Sequence, residues 1–192
     1  MTKCLRETSA TPRKHLVIPD TQLKPGVPMD HLTWLGNYIV AKKPDVIVQI
    51  GDFADMSSLS SYDVGKKQFE GRRYKDDIAA ARSGMELLLS PIWEFNTRAK
   101  QNKEKQYKPR MVLTLGNHEE RILKAVDNDA KLEGVLSQKD LAYEDFGWEV
   151  HTFLRPVVID GVAYCHYFPS GVLGRPTTTA RALLTKMHMS CV

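Results

Sequence analysis

Three apolar runs in this chain end in residues that bind cations or move protons. Residues 45–50 run into Gly51-Asp52-Phe53-Ala54-Asp55, residues 15–19 into Asp20-Thr21-Gln22, and residues 111–115 into Gly116-Asn117-His118-Glu119. A further candidate, His166, follows Tyr164-Cys165 at the end of a later β-rich run. Asp20, Asp52, Asn117 and His166 offer hard oxygen and borderline nitrogen donors, a mix that suits Mn²⁺, Fe or Zn²⁺ and not a thiolate centre. A carboxylate has two oxygens and can bridge two cations. Cations about 3.5–4 Å apart activate a water and neutralise phosphoryl charge during in-line attack. The chemistry in outline is phosphoester hydrolysis.

Open α/β sheets gather ligands just outside the carboxyl ends of their strands, so the elements must bring these run ends to one edge. Residues 15–18 predict a first strand, and Pro19 takes the chain out of the sheet into a loop carrying Asp20 and Gln22. From Pro28 onward, Leu32, Leu35 and Ile39 recur at helical spacing until Pro44 stops the pattern. Asp20 and Asp52 stand 32 positions apart, about the length a βαβ unit needs to return both acids to the same edge. After a polar segment at 57–75, Ile78, Ala81, Met85, Leu88 and Ile92 keep one helical face. Pro91 within it predicts either a kink or two consecutive helices. Residues 119–132 and 178–187 read as helices, and Asp160-Gly161 between β-rich runs at 156–164 predicts a hairpin. A hairpin pairs antiparallel, so the second half should supply a different sheet from the parallel first half. Residues 1–12 read as a loose arm.

The 192 residues, 42% hydrophobic and 26% charged, fit one α/β domain with a sizeable core, and no repeat or linker divides them. A net charge of +4 allows an anionic substrate without selecting one. Cys4, Cys165 and Cys191 are odd in number and far apart, which excludes a C-x-x-C zinc or redox motif and predicts reduced thiols. No apolar run approaches a membrane span and the N-terminus lacks the core of a signal peptide. The expected location is the cytoplasm.

At the level of motifs the chain resembles the calcineurin-like metallophosphoesterases, and within them the phage and prophage branch. That family shares D-x-H, G-D-x-x-D, G-N-H-[ED], a lone His and a final G-H-x-H. Residues 51–55 and 116–119 match in full, Asp20-Thr21-Gln22 matches in part, and His166 stands in the right order, so the resemblance spans residues 15–168. It implies a two-sheet α/β sandwich with flanking helices and a site for two divalent metals, manganese foremost, with Fe, Zn²⁺, Ni²⁺ and Mg²⁺ as the other choices. Asp20 and Gln22 would face the first metal, Asp52 would bridge, and Asn117 and His166 would hold the second. His118 would meet the leaving-group oxygen or the phosphoryl group with Asp55 orienting it. Asn117, His118 and Arg121 would line the substrate phosphate.

Two departures qualify the resemblance. Gln22 stands where a histidine is usual, a neutral and weaker ligand, so the first metal should bind less tightly. No G-H-x-H exists: after His166 the only histidine is His188, and residues 188–192 begin what reads as a strand, so a shortened C-terminus is expected. Three functions follow: a phosphatase, a nuclease cutting a phosphodiester backbone, and a catalytically silent domain that binds a metal or a partner. The oligomeric state is left open.

Each residue also has a plainer reading. Asp52 fits a helix cap. Asn117 with Glu120 has the spacing of a capping box. His166 suits a hydrogen-bonded core position, and His188 a helix end. Residues 66–75, with five basic residues, one acid and interleaved Phe69 and Tyr74, fit either a solvated face or a track for a nucleic-acid backbone. Residues 98–110 carry six basic residues and one acid and should lie far from the ligand edge.

Overall fold

The computed structural model describes residues 13–187, so the arm at 1–12, Cys4, His188, Cys191 and the strand expected from 188 lie outside the described residues. The described elements are β1 (His15–Ile18), α1 (Asp30–Lys42), β2 (Val46–Gln49), α2 (Tyr74–Gln101), β3 (Arg110–Thr114) and α3 (Glu120–Asn128) in the first two thirds. They continue with β4 (Glu149–His151), β5 (Val157–Ile159), β6 (Val162–Tyr164), β7 (Pro169–Ser170), β8 (Arg175–Pro176) and α4 (Ala180–Met187).

A four-stranded sheet runs in the order β1-β2-β3-β4, and all three pairings are parallel. Its register places His15 beside Val46, Val46 beside Arg110 and Val112 beside Glu149. β2 is buried at every residue, which is why it reads as a continuous apolar run. Side chains alternate across a strand, and here the alternation feeds two cores. Ile18, Ile47 and Leu113 pack under the helices with Leu32, Met85 and Leu88, whereas Val46, Val48 and Val112 pack against Ile159 and Tyr164 of the hairpin. The molecule is therefore mixed α/β, with a parallel sheet, helices on one face and a separate antiparallel pair on the other.

The expected hairpin forms. β5 and β6 pair antiparallel, and Asp160 and Gly161 both take positive φ, 49° and 82°, as a tight two-residue turn requires. The His15 ring pins this hairpin to β1: Nε2 lies 2.8 Å from Asp160 Oδ2 and Nδ1 lies 2.6 Å from the Tyr164 hydroxyl.

Five elements differ from expectation: α2, α3, β4, β7 and β8. Pro91 does not divide α2, which is a single helix from Tyr74 to Gln101. Proline leaves the carbonyl of the residue four positions back without a backbone donor, and the Ser90 hydroxyl donates to that Leu87 carbonyl at 3.2 Å. Gly36 of α1 lets the helices close at this point, since a Cβ there would strike the Leu88 carbonyl and the Pro91 ring. α3 stops at Asn128 because Asp129 turns out of the helix and its side chain accepts from the Lys131 N–H. β4 and the short β7–β8 pair had no expected counterpart. Among the described residues no helix is long and apolar enough to cross a membrane.

Candidate functional site

The carboxyl ends of β2 and β3 meet through two glycines. After Gln49 the chain turns sharply, with φ of 100° at Gly51 and 53° at Asp52. The buried Gln49 amide holds the turn, its Oε1 accepting from the Gly51 N–H and its Nε2 donating to the Pro19 carbonyl. Gly116, at the end of β3, lies so close that a Cβ would overlap the Asp52 carboxylate and backbone nitrogen. An aspartate tolerates left-handed φ better than most residues, and the Asp52 carbonyl is fixed there by the N–H groups of Thr21 and Gln22 at 3.1 and 2.9 Å. The first-loop, Gly-Asp and Gly-Asn-His segments thus form one hydrogen-bonded junction.

Gly116→Ala is expected to destabilise the protein by about 1–3 kcal/mol, in the range for overpacking a tight contact, because the added methyl must displace the Asp52 side chain. Denaturant unfolding checks it: φ at Gly116 is not in the left-handed region, so the loss is steric, and a variant as stable as the wild type would contradict the contact at Asp52.

Asp52 is 2% exposed. Its Oδ1 accepts from the His118 backbone N–H at 2.9 Å, while Oδ2 faces the His166 Nε2 at 3.5 Å and the His118 Nε2 at 3.6 Å. The His166 Nδ1 lies 2.9 Å from the Ile50 carbonyl and donates to it, since a carbonyl only accepts. Its Nε2 lies 3.0 Å from Asn117 Oδ1. Polar atoms from Asp52, His166 and Asn117 thus converge at one point of the edge.

His118 is held differently. Its Nδ1 lies 2.8 Å from Asp55 Oδ1 and 2.9 Å from the Asp55 carbonyl, and Arg121 donates to its Nε2 at 3.2 Å. Burial lowers the His118 pKa, but the Asp55 hydrogen bond and the Asp52 charge outweigh it and the net direction is upward. The same hydrogen bond, against burial, holds Asp55 below the usual carboxylate range, helped by Lys24 and Arg121. Arg121 also donates to the Asp55 carbonyl at 2.7 Å, so it fixes the 55–56 turn as well as touching His118.

The remaining expected ligands are looser. Asp20 reaches within 3.9 Å of the His166 Nδ1 but is 45% exposed. Gln22 is exposed, and its backbone N–H, not its amide, ties it to the junction. Among the described residues no group of three or more His, Cys, Asp and Glu side chains is placed to hold a metal ion. The convergent set consists of one carboxylate, one imidazole and one amide oxygen.

Glu119 is the residue whose role the sequence reading missed. Its position reads as a helix start, and the Asn117/Glu120 capping box does not form: α3 has no side-chain cap, and the Glu120 carboxylate accepts from the Gln138 amide. Glu119 is fully buried and accepts from the backbone N–H groups of Asp52, Ala54 and Gly116 at 3.0, 3.0 and 2.9 Å and from the Tyr143 hydroxyl at 3.3 Å. Burial raises its pKa, yet all four partners donate, so the ionised form is the one its surroundings satisfy. The available signal was an acid three positions after a strand-ending glycine, where an N-terminal helix turn meets the sheet edge.

Much of the basic segment at 66–75 is internally committed. Arg72 donates to the Gln68 and Ser57 carbonyls and pairs with Asp63 at 2.8 Å, and Lys66 shares that carboxylate. The Tyr74 hydroxyl donates to Asp140 at 2.7 Å. Compared with models of known protein families and with curated proteins, the chain matches none.

Proposed function

We propose that the carboxyl edge of the parallel sheet is the active site of a metal-dependent phosphoester hydrolase of the calcineurin-like type. One observation carries the proposal: His166 Nε2 lies 3.0 Å from Asn117 Oδ1 and 3.5 Å from Asp52 Oδ2 at the carboxyl edge. Ligand atoms about 2.0–2.2 Å from one cation stand about 3–3.5 Å from each other, so the donor set fits a divalent ion. The Ile50 carbonyl sets the required His166 tautomer, as outer partners of metal-binding imidazoles do. Asp20 and Gln22 are the candidates for a first, weaker position, with Asp52 shared. When bound, divalent cations supply neutralisation of phosphoryl charge and acidify a water.

The chain's own groups supply the proton chemistry. Asp55 anchors the His118 Nδ1 and leaves Nε2 facing the Asp52 side of the site. With its pKa raised, His118 is suited to give a proton to a leaving-group oxygen and recover it. Arg121, beside Nε2, is placed to meet an equatorial phosphate oxygen.

Turnover of p-nitrophenyl phosphate and its bis ester, with Mn²⁺ present, tests the proposal; the two esters separate a phosphatase from a nuclease-like diesterase. His118→Ala is expected to lower kcat by about 10²- to 10⁴-fold while metal content, measured by elemental analysis, stays at the wild-type level. Loss of metal together with activity would remove His118 from the catalytic role. The second reading, a metal-binding domain without turnover, is favoured by the unengaged Gln22, and bound metal with neither ester cleaved would support it.

A further inference from the structure

The strand ends opposite the candidate site form a basic face. Lys43, which precedes β2, and Lys105 and Lys108, which precede β3, line a depression of about 590 Å³. Lys100 and Lys103 line an adjoining one of about 490 Å³. The two arginines in the first depression are already engaged: Arg110 forks onto Glu149 at 2.8–3.0 Å, and Arg13 reaches Asp160 at 3.3 Å. The five lysines carry no ion pair among the described residues. Lys100 lies in the last turn of α2, where a cation offsets the helix dipole, but Lys105 and Lys108 lie beyond the helix and gain nothing from it.

A second feature leads into this face. On α1, Trp34, Tyr38 and Lys42 follow at four-residue steps, each about 6 Å further along the axis, and the helix ends at the basic edge. Trp34 is 70% and Tyr38 49% exposed, so the core does not account for these rings. The Lys42 ammonium lies 5.7 Å from the Tyr38 ring centre, and the Lys43 ammonium lies 4.4 Å over Phe95.

We infer that this face binds single-stranded nucleic acid, with bases stacked on Trp34 and Tyr38 and phosphates following the lysines into the depressions. Open rings flanked by unpaired cations form a stacking platform beside an electrostatic groove. A duplex buries its base faces and has nothing to stack on these rings. The exposed positions around the rings, Asp30, His31, Asn37 and Ala41, form no apolar stripe that would enter a bilayer. The face lies about 13 Å of strand away from Asp52, so the inference does not depend on the hydrolase proposal.

Fluorescence anisotropy with a fluorescein-labelled oligothymidylate of about 20 nucleotides, in EDTA to exclude cation-dependent cleavage, tests it. Binding is expected to weaken with salt. Lys100→Gln with Lys105→Gln and Lys108→Gln should reduce the log–log salt slope by about 2. Trp34→Ala should weaken binding by about 10- to 100-fold; all four positions are exposed, and circular dichroism checks that the variants fold. No binding at low salt, an unchanged slope in the triple variant, equal affinity for duplex, or displacement of the oligonucleotide by phosphatidylserine vesicles would each overturn the inference.

Discussion

Asp52→Asn is expected to abolish cation binding at the carboxyl edge while leaving the cation-free protein as stable as the wild type, or more so. The carboxylate is buried, accepts one backbone hydrogen bond, and turns its other oxygen toward two imidazole nitrogens. Without a cation, that arrangement keeps a charge out of water with few partners, which is costly. An amide of the same shape still accepts from the His118 N–H and can donate toward the imidazoles, so the substitution removes the charge without opening a hole. Loss of an outer partner typically weakens metal binding by about 10- to 100-fold, and loss of the shared carboxylate should exceed that. Thermal unfolding with and without Mn²⁺ separates the two effects. A site-specific cation at 100 times its Kd adds about 2.7 kcal/mol, and this increment should vanish in the variant. An increment of wild-type size in Asp52→Asn would remove Asp52 from the ligand set.

Glu119→Gln is expected to be among the most damaging conservative substitutions in the chain, destabilising it by about 3 kcal/mol. Four donors converge on the carboxylate. A glutamine has one oxygen and must point its NH₂ at two of them, leaving buried donors facing a donor. The N–H groups concerned belong to Asp52, Ala54 and Gly116, so the damage falls on the junction that aims the Asp52 side chain, and cation affinity should drop with stability. Urea unfolding and Mn²⁺ titration check both, with Glu120→Gln as the control. Glu120 is half-buried and accepts one amide hydrogen bond, which a glutamine oxygen still accepts, so the loss should stay within about 0.5 kcal/mol. Equal losses in the two variants would contradict the clamp.

The parts legible in the sequence are those with a local cause. β2 is apolar throughout because both its faces are buried, and the Asp160-Gly161 turn needs residues that tolerate positive φ. Asp52, Asp55, Asn117, His118 and His166 come together because each directly follows a strand of known direction. β4 escaped because Glu149-Val150-His151 has one apolar residue and no period to detect; its place is set by pairing with β3. Pro91 reads as a kink or a junction of two helices because the compensating Ser90 bond and the close approach of Gly36 show only in three dimensions. Glu119 escaped for the same reason. An acid at a helix start looks like a favourable dipole contact, and only the three-dimensional meeting of β2 and β3 shows the backbone donors it serves.

The basic segments divided in a way composition did not anticipate. Residues 66–75 read as a solvated face or a nucleic-acid track, and in the fold Arg72 and Lys66 are bound to Asp63, whose carboxyl they hold far below its usual range. At the opposite strand ends, Lys100, Lys103, Lys105 and Lys108 carry no ion pair among the described residues.

Whether Asp52, Asn117 and His166 together hold a divalent cation is tested by an anomalous difference map from crystals soaked in Mn²⁺. The expected result is a peak about 2.0–2.3 Å from Asp52 Oδ2, His166 Nε2 and Asn117 Oδ1, stronger than any peak beside Asp20 and Gln22. Full-occupancy manganese bound elsewhere, with these three atoms unliganded, would contradict it.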